Sequence, residues 1–461
     1  MTLIEVDPRA RTLDDFVPVI GAERVRLLDQ GAARLAKQIG SRTIWNINST
    51  ARGGGVAEML HRILPLARGL GMNVRWLVIG GSAEFFTVTK RICERLYGIA
   101  GDDGALDATE REVFEDNSAR RVPEIREVVR KGDLVVLHDP QTAGLVPALT
   151  RAGCTVVWRC HMGIDRQNDY SLSAWDFLRP YLGAVSATVF SLRHHAPAWL
   201  ADQAPMHVIA PSLDPFAPKN RFMDDAEVRS VLHRTGLVGG DGREEGDGGT
   251  AEVVQDRPID IDRPLVVQIS RWDRLKDMSG VLSAFADHGG AGADLLLTGP
   301  EVRGVRDDPA AADVFAECVD RWRNLPPRKR RAVHLANLSM ADPDDNALAV
   351  NALQRHAAVV TQKSLAEGFG LTVTEAMWKA APVVASAIGG IRSQLTDGVE
   401  GTLVDPYDLA GFARSVRLFL DDPALARKRG DAARARVLRD FLADRHLRDW
   451  GKVLMSLDAA R

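Results

Sequence analysis

Short apolar runs alternate with amphipathic stretches along almost all of the chain. Runs such as 134–137 are apolar at every position, the mark of a strand covered on both faces. The pattern predicts strands at 43–47, 74–79, 134–137, 155–159, 187–190 and 207–209, with helices between them, one over 55–70. A second series follows at 265–269, 294–297, 332–335, 358–361 and 383–386, again with helices between, including one at 372–379. From about 408 to 460 the sequence is helical and rich in Ala, Arg and Leu.

Strand and helix in strict alternation imply parallel sheets with helices on both faces. The expectation is an α/β chain of two Rossmann-like, doubly wound parallel-sheet domains facing a central cleft. The boundaries expected are 1–213, 214–435 and a helical tail at 436–461 that crosses back to the first domain. The Gly- and Asp-rich stretch within 236–262 has little apolar content and reads as a mobile insertion. Pro and Asp in Ala210-Pro211-Ser212-Leu213-Asp214-Pro215-Phe216 break regular structure and mark the hinge.

A length of 461 residues fits two or three domains, and 45% hydrophobic with 26% charged residues is ordinary for globular proteins. A formal net charge of −3 gives no global field for nucleic acid or an anionic membrane. The four cysteines, Cys93, Cys154, Cys160 and Cys318, form no CxxC pair or His-rich metal pattern and suit a reducing cytoplasm. The N-terminus lacks the apolar core of a signal peptide, and no apolar run is long enough to span a bilayer. No metal ligands are expected, since Asp342-Pro343-Asp344-Asp345 reads as a helix cap.

Ligands of doubly wound sheets bind at the carboxyl ends of strands, and the chemistry-bearing residues fall there. Asn48-Ser49-Thr50-Ala51-Arg52-Gly53-Gly54-Gly55 joins a strand to a helix, so Gly53, Gly54 and Gly55 bring backbone N–H groups close to a phosphate. Arg271 and Lys276 follow the first strand of the second domain and suit a diphosphate. Glu367-Gly368-Phe369-Gly370-Leu371-Thr372-Val373-Thr374-Glu375 places one acid in a glycine loop and a second inside the next helix. Glu375 suits a ribose diol and Glu367 a transferred hexose, while the N–H groups of Phe369, Gly370 and Leu371 suit phosphate or sugar oxygens. His161, His138 and Asp139 end strands of the first domain and, with Asn48, make a polar edge fit for sugar hydroxyls. His194 and His195 read only as a helix start.

Taken together these residues resemble the retaining GT-B glycosyltransferases of family four over nearly the whole chain. Glu367 and Glu375 match that family's E-x7-E signature, Arg271 and Lys276 its phosphate-binding pair, and His161 its acceptor-side histidine. More narrowly, the Asn48–Leu60 run, His138-Asp139-Pro140-Gln141 and Trp158-Arg159-Cys160-His161 are similar to trehalose glycosyltransferring synthases and retaining trehalose phosphorylases. Ala51-Arg52 before the glycines and the Gly/Asp-rich stretch depart from that pattern. The resemblance implies ADP-, UDP- or GDP-glucose as donor and a small sugar, free glucose, as acceptor, giving an α-linked disaccharide. It implies no obligatory cofactor, leaves free Mg2+ open as a stimulating ion, and is compatible with a homo-oligomer. The alternatives that remain are a phosphorylase using glucose 1-phosphate, another family-four hexosyltransferase, and a nucleotide-sugar 2-epimerase.

Overall fold

The structure, a computed structural model, describes residues 3–52, 54–239, 251–288, 292–302 and 310–459. The chain forms two compact units, Met1–Ser212 with Phe441–Arg461, and Leu213–Asp440. Among the described residues each unit is built on one seven-stranded sheet.

The strands of the first unit are β1 (Ile4–Val6), β2 (Ile44–Asn48), β3 (Val74–Val78), β4 (Leu134–His138), β5 (Thr155–Cys160), β6 (Ala187–Phe190) and β7 (Met206–Val208). Their order is β1-β3-β2-β4-β5-β6-β7, all parallel except the edge strand β1, which runs antiparallel to β3. Every residue of β2, β4 and β5 is buried, as expected for strands with helices on both faces. Because β2 bonds β3 on one side and β4 on the other, the sheet reverses direction between β2 and β4. The helix Ala443–Ala459 belongs to this unit and packs on the helix Ala22–Ile39. Arg24 is paired with the buried Asp444 at 2.5 Å, and Arg445 donates to the carbonyls of Ala210 and Pro211 at 2.8 and 2.9 Å.

The second unit contains β8 (Ala251–Val254), β9 (Leu265–Ile269), β10 (Asp294–Pro300), β11 (Val333–Leu338), β12 (Val359–Gln362), β13 (Val383–Ser386) and β14 (Thr402–Val404). Their order is β14-β13-β12-β9-β10-β11-β8, with only β8 antiparallel, and the reversal falls between β9 and β12. Asp342 caps the helix Pro343–His356 through the N–H groups of Asp344 and Asp345, as its sequence implied.

The stretch 236–262 is not loop throughout. β8 pairs with β11, Val238 bridges Ile259, and Leu237, Val238 and Ile259 are buried. The pattern missed them because the apolar anchors are single residues separated by charges. Residues 240–250 of that stretch, and Gly53, lie outside the described residues.

Candidate active site

In the second unit the loops leaving β9 and β12 meet at the reversal point. Gln268, fully buried on β9, ties them together, its Nε2 donating to the Lys276 carbonyl at 2.7 Å and its Oε1 accepting from the Lys363 N–H at 2.9 Å. The Leu365 N–H adds a bond to the Leu275 carbonyl at 2.7 Å. This brings Lys276 Nζ to 2.6 Å from Glu367 Oε2, with both side chains nearly buried. Ser364 Oγ lies 3.2 Å from the same carboxylate oxygen. A second ion pair, the buried Lys363 with Asp277, braces the loop from beneath. Arg271 stands on the β9 loop, largely exposed, 3.2 Å from Asp273.

The glycine loop after Glu367 is fixed by backbone geometry. Gly370 caps the helix Leu371–Trp378 in a left-handed conformation (φ +83°), which glycine adopts without strain. Gly389 (φ +44°) approaches so closely that a Cβ there would sit 1.8 Å from the Glu367 carbonyl oxygen. Gln394 holds the carbonyls of Phe369 and Gly370 and accepts from Thr374 Oγ1 at 2.5 Å. The N-terminus of the helix Leu371–Trp378 therefore opens beside the Glu367 loop, where its N–H groups favour anions. Glu375, inside that helix and buried, lies 3.6 Å from Lys219 Nζ. Lys379 donates to Gln354 Oε1 at 2.8 Å and to the Glu375 carbonyl at 3.1 Å, and burial pushes its ammonium down to about 7. Spacing alone gives no sign of Gln268, Gln394, Lys219, or the Lys363–Asp277 pair. The available signal was the glutamine inside the otherwise apolar run Leu265-Val266-Val267-Gln268-Ile269.

In the first unit Asn46, in the middle of β2, meets His138, Asp139 and His161 at the carboxyl ends of β4 and β5. Asp139, with φ +64°, accepts through Oδ1 from both the backbone N–H and Nδ1 of His161, at 2.8 and 2.9 Å. Arg159, fully buried, donates through Nε to His161 Nε2 at 2.5 Å, so the imidazole is the neutral Nδ1–H tautomer. Burial lowers the His161 pKa, with Asp139 opposing and Arg159 reinforcing the shift. His138 stacks on His161 with ring centres 5.8 Å apart, and its Nε2 meets Asn46 Oδ1 at 3.1 Å. Asn48 stands apart from this group. Its Oδ1 accepts from Trp76 Nε1, and its amide donates to the Thr50 carbonyl, both at 2.7 Å. Gly54 precedes the helix Gly55–Gly69, and Gly55 is its first residue. A cavity of about 350 Å³ in this unit is lined by Asn46, His138 and His446 and by residues of the helices Ala22–Ile39, Gly55–Gly69 and Ala443–Ala459, most of them apolar.

A doubly wound sheet in each of two successive units, with an acid–glycine loop at the second reversal point, is the frame of the GT-B glycosyltransferases. The solved α,α-trehalose-phosphate synthase (UDP-forming) from Burkholderia vietnamiensis shares that fold. It superposes with a TM-score of 0.68 at 16% identity, over 91% of this chain and 100% of its own. Residues 46–197 match the profile described as "Trehalose synthase, N-terminal domain", and residues 343–436 that of "Glycosyl transferases group 1". The trehalose synthase of Rubrobacter xylanophilus is 33% identical over 456 residues, 97% of each chain. The chain therefore belongs to the trehalose synthase family and is a glycosyltransferase. More distantly, the trehalose phosphorylase of Pleurotus sajor-caju is 26% identical over 85% of this chain but only 54% of its own length. Among the described residues no helix is long and apolar enough to cross a membrane.

Proposed function

We propose that the enzyme transfers a glucosyl group, with retention, from a nucleoside diphosphate glucose to the anomeric hydroxyl of free glucose, forming trehalose. The observation that carries this reading is the Lys276–Glu367 pair at the reversal point of the second sheet, beside a helix N-terminus. The sugar C1–O bond breaks as the diphosphate leaves, and negative charge grows on that leaving group. Lys276, Arg271 and the N–H groups of Phe369, Gly370 and Leu371 stabilise it without rearrangement. Its oxygen takes the proton of the acceptor hydroxyl on the same face, so configuration is kept and no glycosidase-type carboxylate pair is needed. Glu367 orients the hexose, and Glu375 receives the ribose diol. On the acceptor side His161 acts as a neutral Nε2 acceptor, its tautomer set by Asp139, exchanging the Arg159 donor for a sugar hydroxyl. Asn46 and His138 hold that edge in place.

The phosphorylase reading differs only in its leaving group, which would be inorganic phosphate. The synthase reading is favoured because this chain spans 97% of the R. xylanophilus synthase but 54% of the phosphorylase. The test is transfer to glucose from ADP-, UDP- and GDP-glucose and from glucose 1-phosphate, with the product linkage read by NMR. An α,α-linked product from a nucleotide sugar is expected. A β-linkage overturns the mechanism, and turnover of glucose 1-phosphate with all nucleotide sugars inert makes the enzyme a phosphorylase.

A further inference from the structure

We propose that Asp165, His194 and His195 of the first unit form a binding site for a divalent transition-metal ion of the zinc class. The three residues sit on adjacent turns. β5 and β6 are paired in parallel with Cys160 opposite Phe190, so the chain leaves both strands side by side at the carboxyl edge. Asp165 follows β5, and the two histidines lie in the turn Arg193–His195 after β6. One ligand atom from each residue lies within 4.8 Å of the other two, and His194 Nε2 is already 2.9 Å from Asp165 Oδ1.

The observation that points to a ligand is His195. Its side chain is fully buried, yet neither ring nitrogen has a hydrogen-bond partner among the described residues. Buried polar atoms are nearly always partnered, so two unmet on one ring call for a ligand. The ring is also held in place, because a Cβ at Gly163 would lie 2.3 Å from its Cγ.

Two imidazoles and one carboxylate suit Zn2+, Co2+ or Fe2+, whereas Mg2+ and Ca2+ prefer all-oxygen shells. Ligands of a tetrahedral Zn2+ at about 2.1 Å stand about 3.4 Å apart. The cluster reaches that spacing by rotation of His194 and Asp165, whose side chains are 52% and 30% exposed, around the fixed His195. That exposure leaves the fourth position to water. The bound ion would clamp the turn that follows His161 to the turn after β6.

The test uses the full chain freed of metal by a chelator and titrated with Zn2+ or Co2+ alone. One equivalent is expected to bind, with the visible absorption of tetrahedral cobalt and a raised melting temperature. His194→Ala and Asp165→Asn are each expected to weaken binding by at least about tenfold. Both should leave the metal-free melt unchanged, which makes them the decisive variants should His195→Ala fail to fold. The proposal is overturned if the parent takes up no cobalt in a tetrahedral site, or if uptake survives His194→Ala unchanged.

Discussion

Glu367 carries its charge almost out of water, and only because Lys276 and Ser364 meet it there. Glu367→Gln keeps the shape and removes the charge. It is expected to lower kcat at least about a hundredfold while the circular dichroism spectrum stays that of the parent and the melting temperature falls, because the nearly buried Lys276 loses its partner. A kcat within about tenfold of the parent, roughly 1.4 kcal/mol, would remove Glu367 from the chemistry. Lys276→Ala strands a nearly buried carboxylate, so it should lower both kcat and the melting temperature. Pairing it with Glu367→Gln should restore the melt but not the rate, and additive melting losses would show that the two residues are not coupled. Both residues were legible in the sequence, because an acid among glycines and a lysine after a strand are poorly explained by packing. Their supports were not legible. Gln268, Lys363 and Asp277 acquire meaning only when strands some 90 residues apart are laid side by side. Asn48 shows the opposite case, a polar strand end that reads as a sugar contact but whose amide groups hold Trp76 and the Thr50 carbonyl.

At the scale of elements, the long apolar strands were readable, whereas of the four short edge strands only β7 was, as the run 207–209. β1, β8 and β14 are three or four residues each, and none is buried throughout, so neither length nor alternation marks them. Turn-on-turn contacts were equally invisible, and one of them is testable. Gly389→Ala would drive a methyl group into the Glu367 carbonyl, with backbone on both sides and no flexible side chain to yield. The glycine loop must move, so kcat should fall at least about tenfold, with a smaller loss of stability than a core truncation causes. Parent-like kinetics for this variant would mean that the loop geometry does not govern the rate.

Across the first unit, His138, His161, His195, His207 and His446 are all held below the ordinary histidine pKa, chiefly by burial. Their sign is common. Between the lowered folded values and about 6.5 the unfolded chain binds protons that the folded chain refuses, so stability is lost as pH falls through this window. The urea midpoint should be level above about pH 7 and drop steeply from pH 6.5 towards 5, and a flat midpoint down to pH 5 would contradict it. Removal of 441–461 is a harsher test. Phe441, Leu442, Val453, Leu454 and Leu457 are buried, and at about 2 kcal/mol each they rival the stability of a whole domain. The shortened chain should be insoluble or should lose its melting transition, whereas a melt within a few degrees of the full chain would show that the unit closes without the helix.

That returning helix also sets a schedule. The ribosome emits the chain from one end, and the first unit stays incomplete until residues 441–459 have been made, whereas 213–440 is a continuous stretch that can close before them. At about 5–20 residues per second, the early strands wait on the order of twenty to eighty seconds for their last covering helix. During that wait the apolar face of the helix Ala22–Ile39 lies open to solvent, the kind of surface that chaperones recognise.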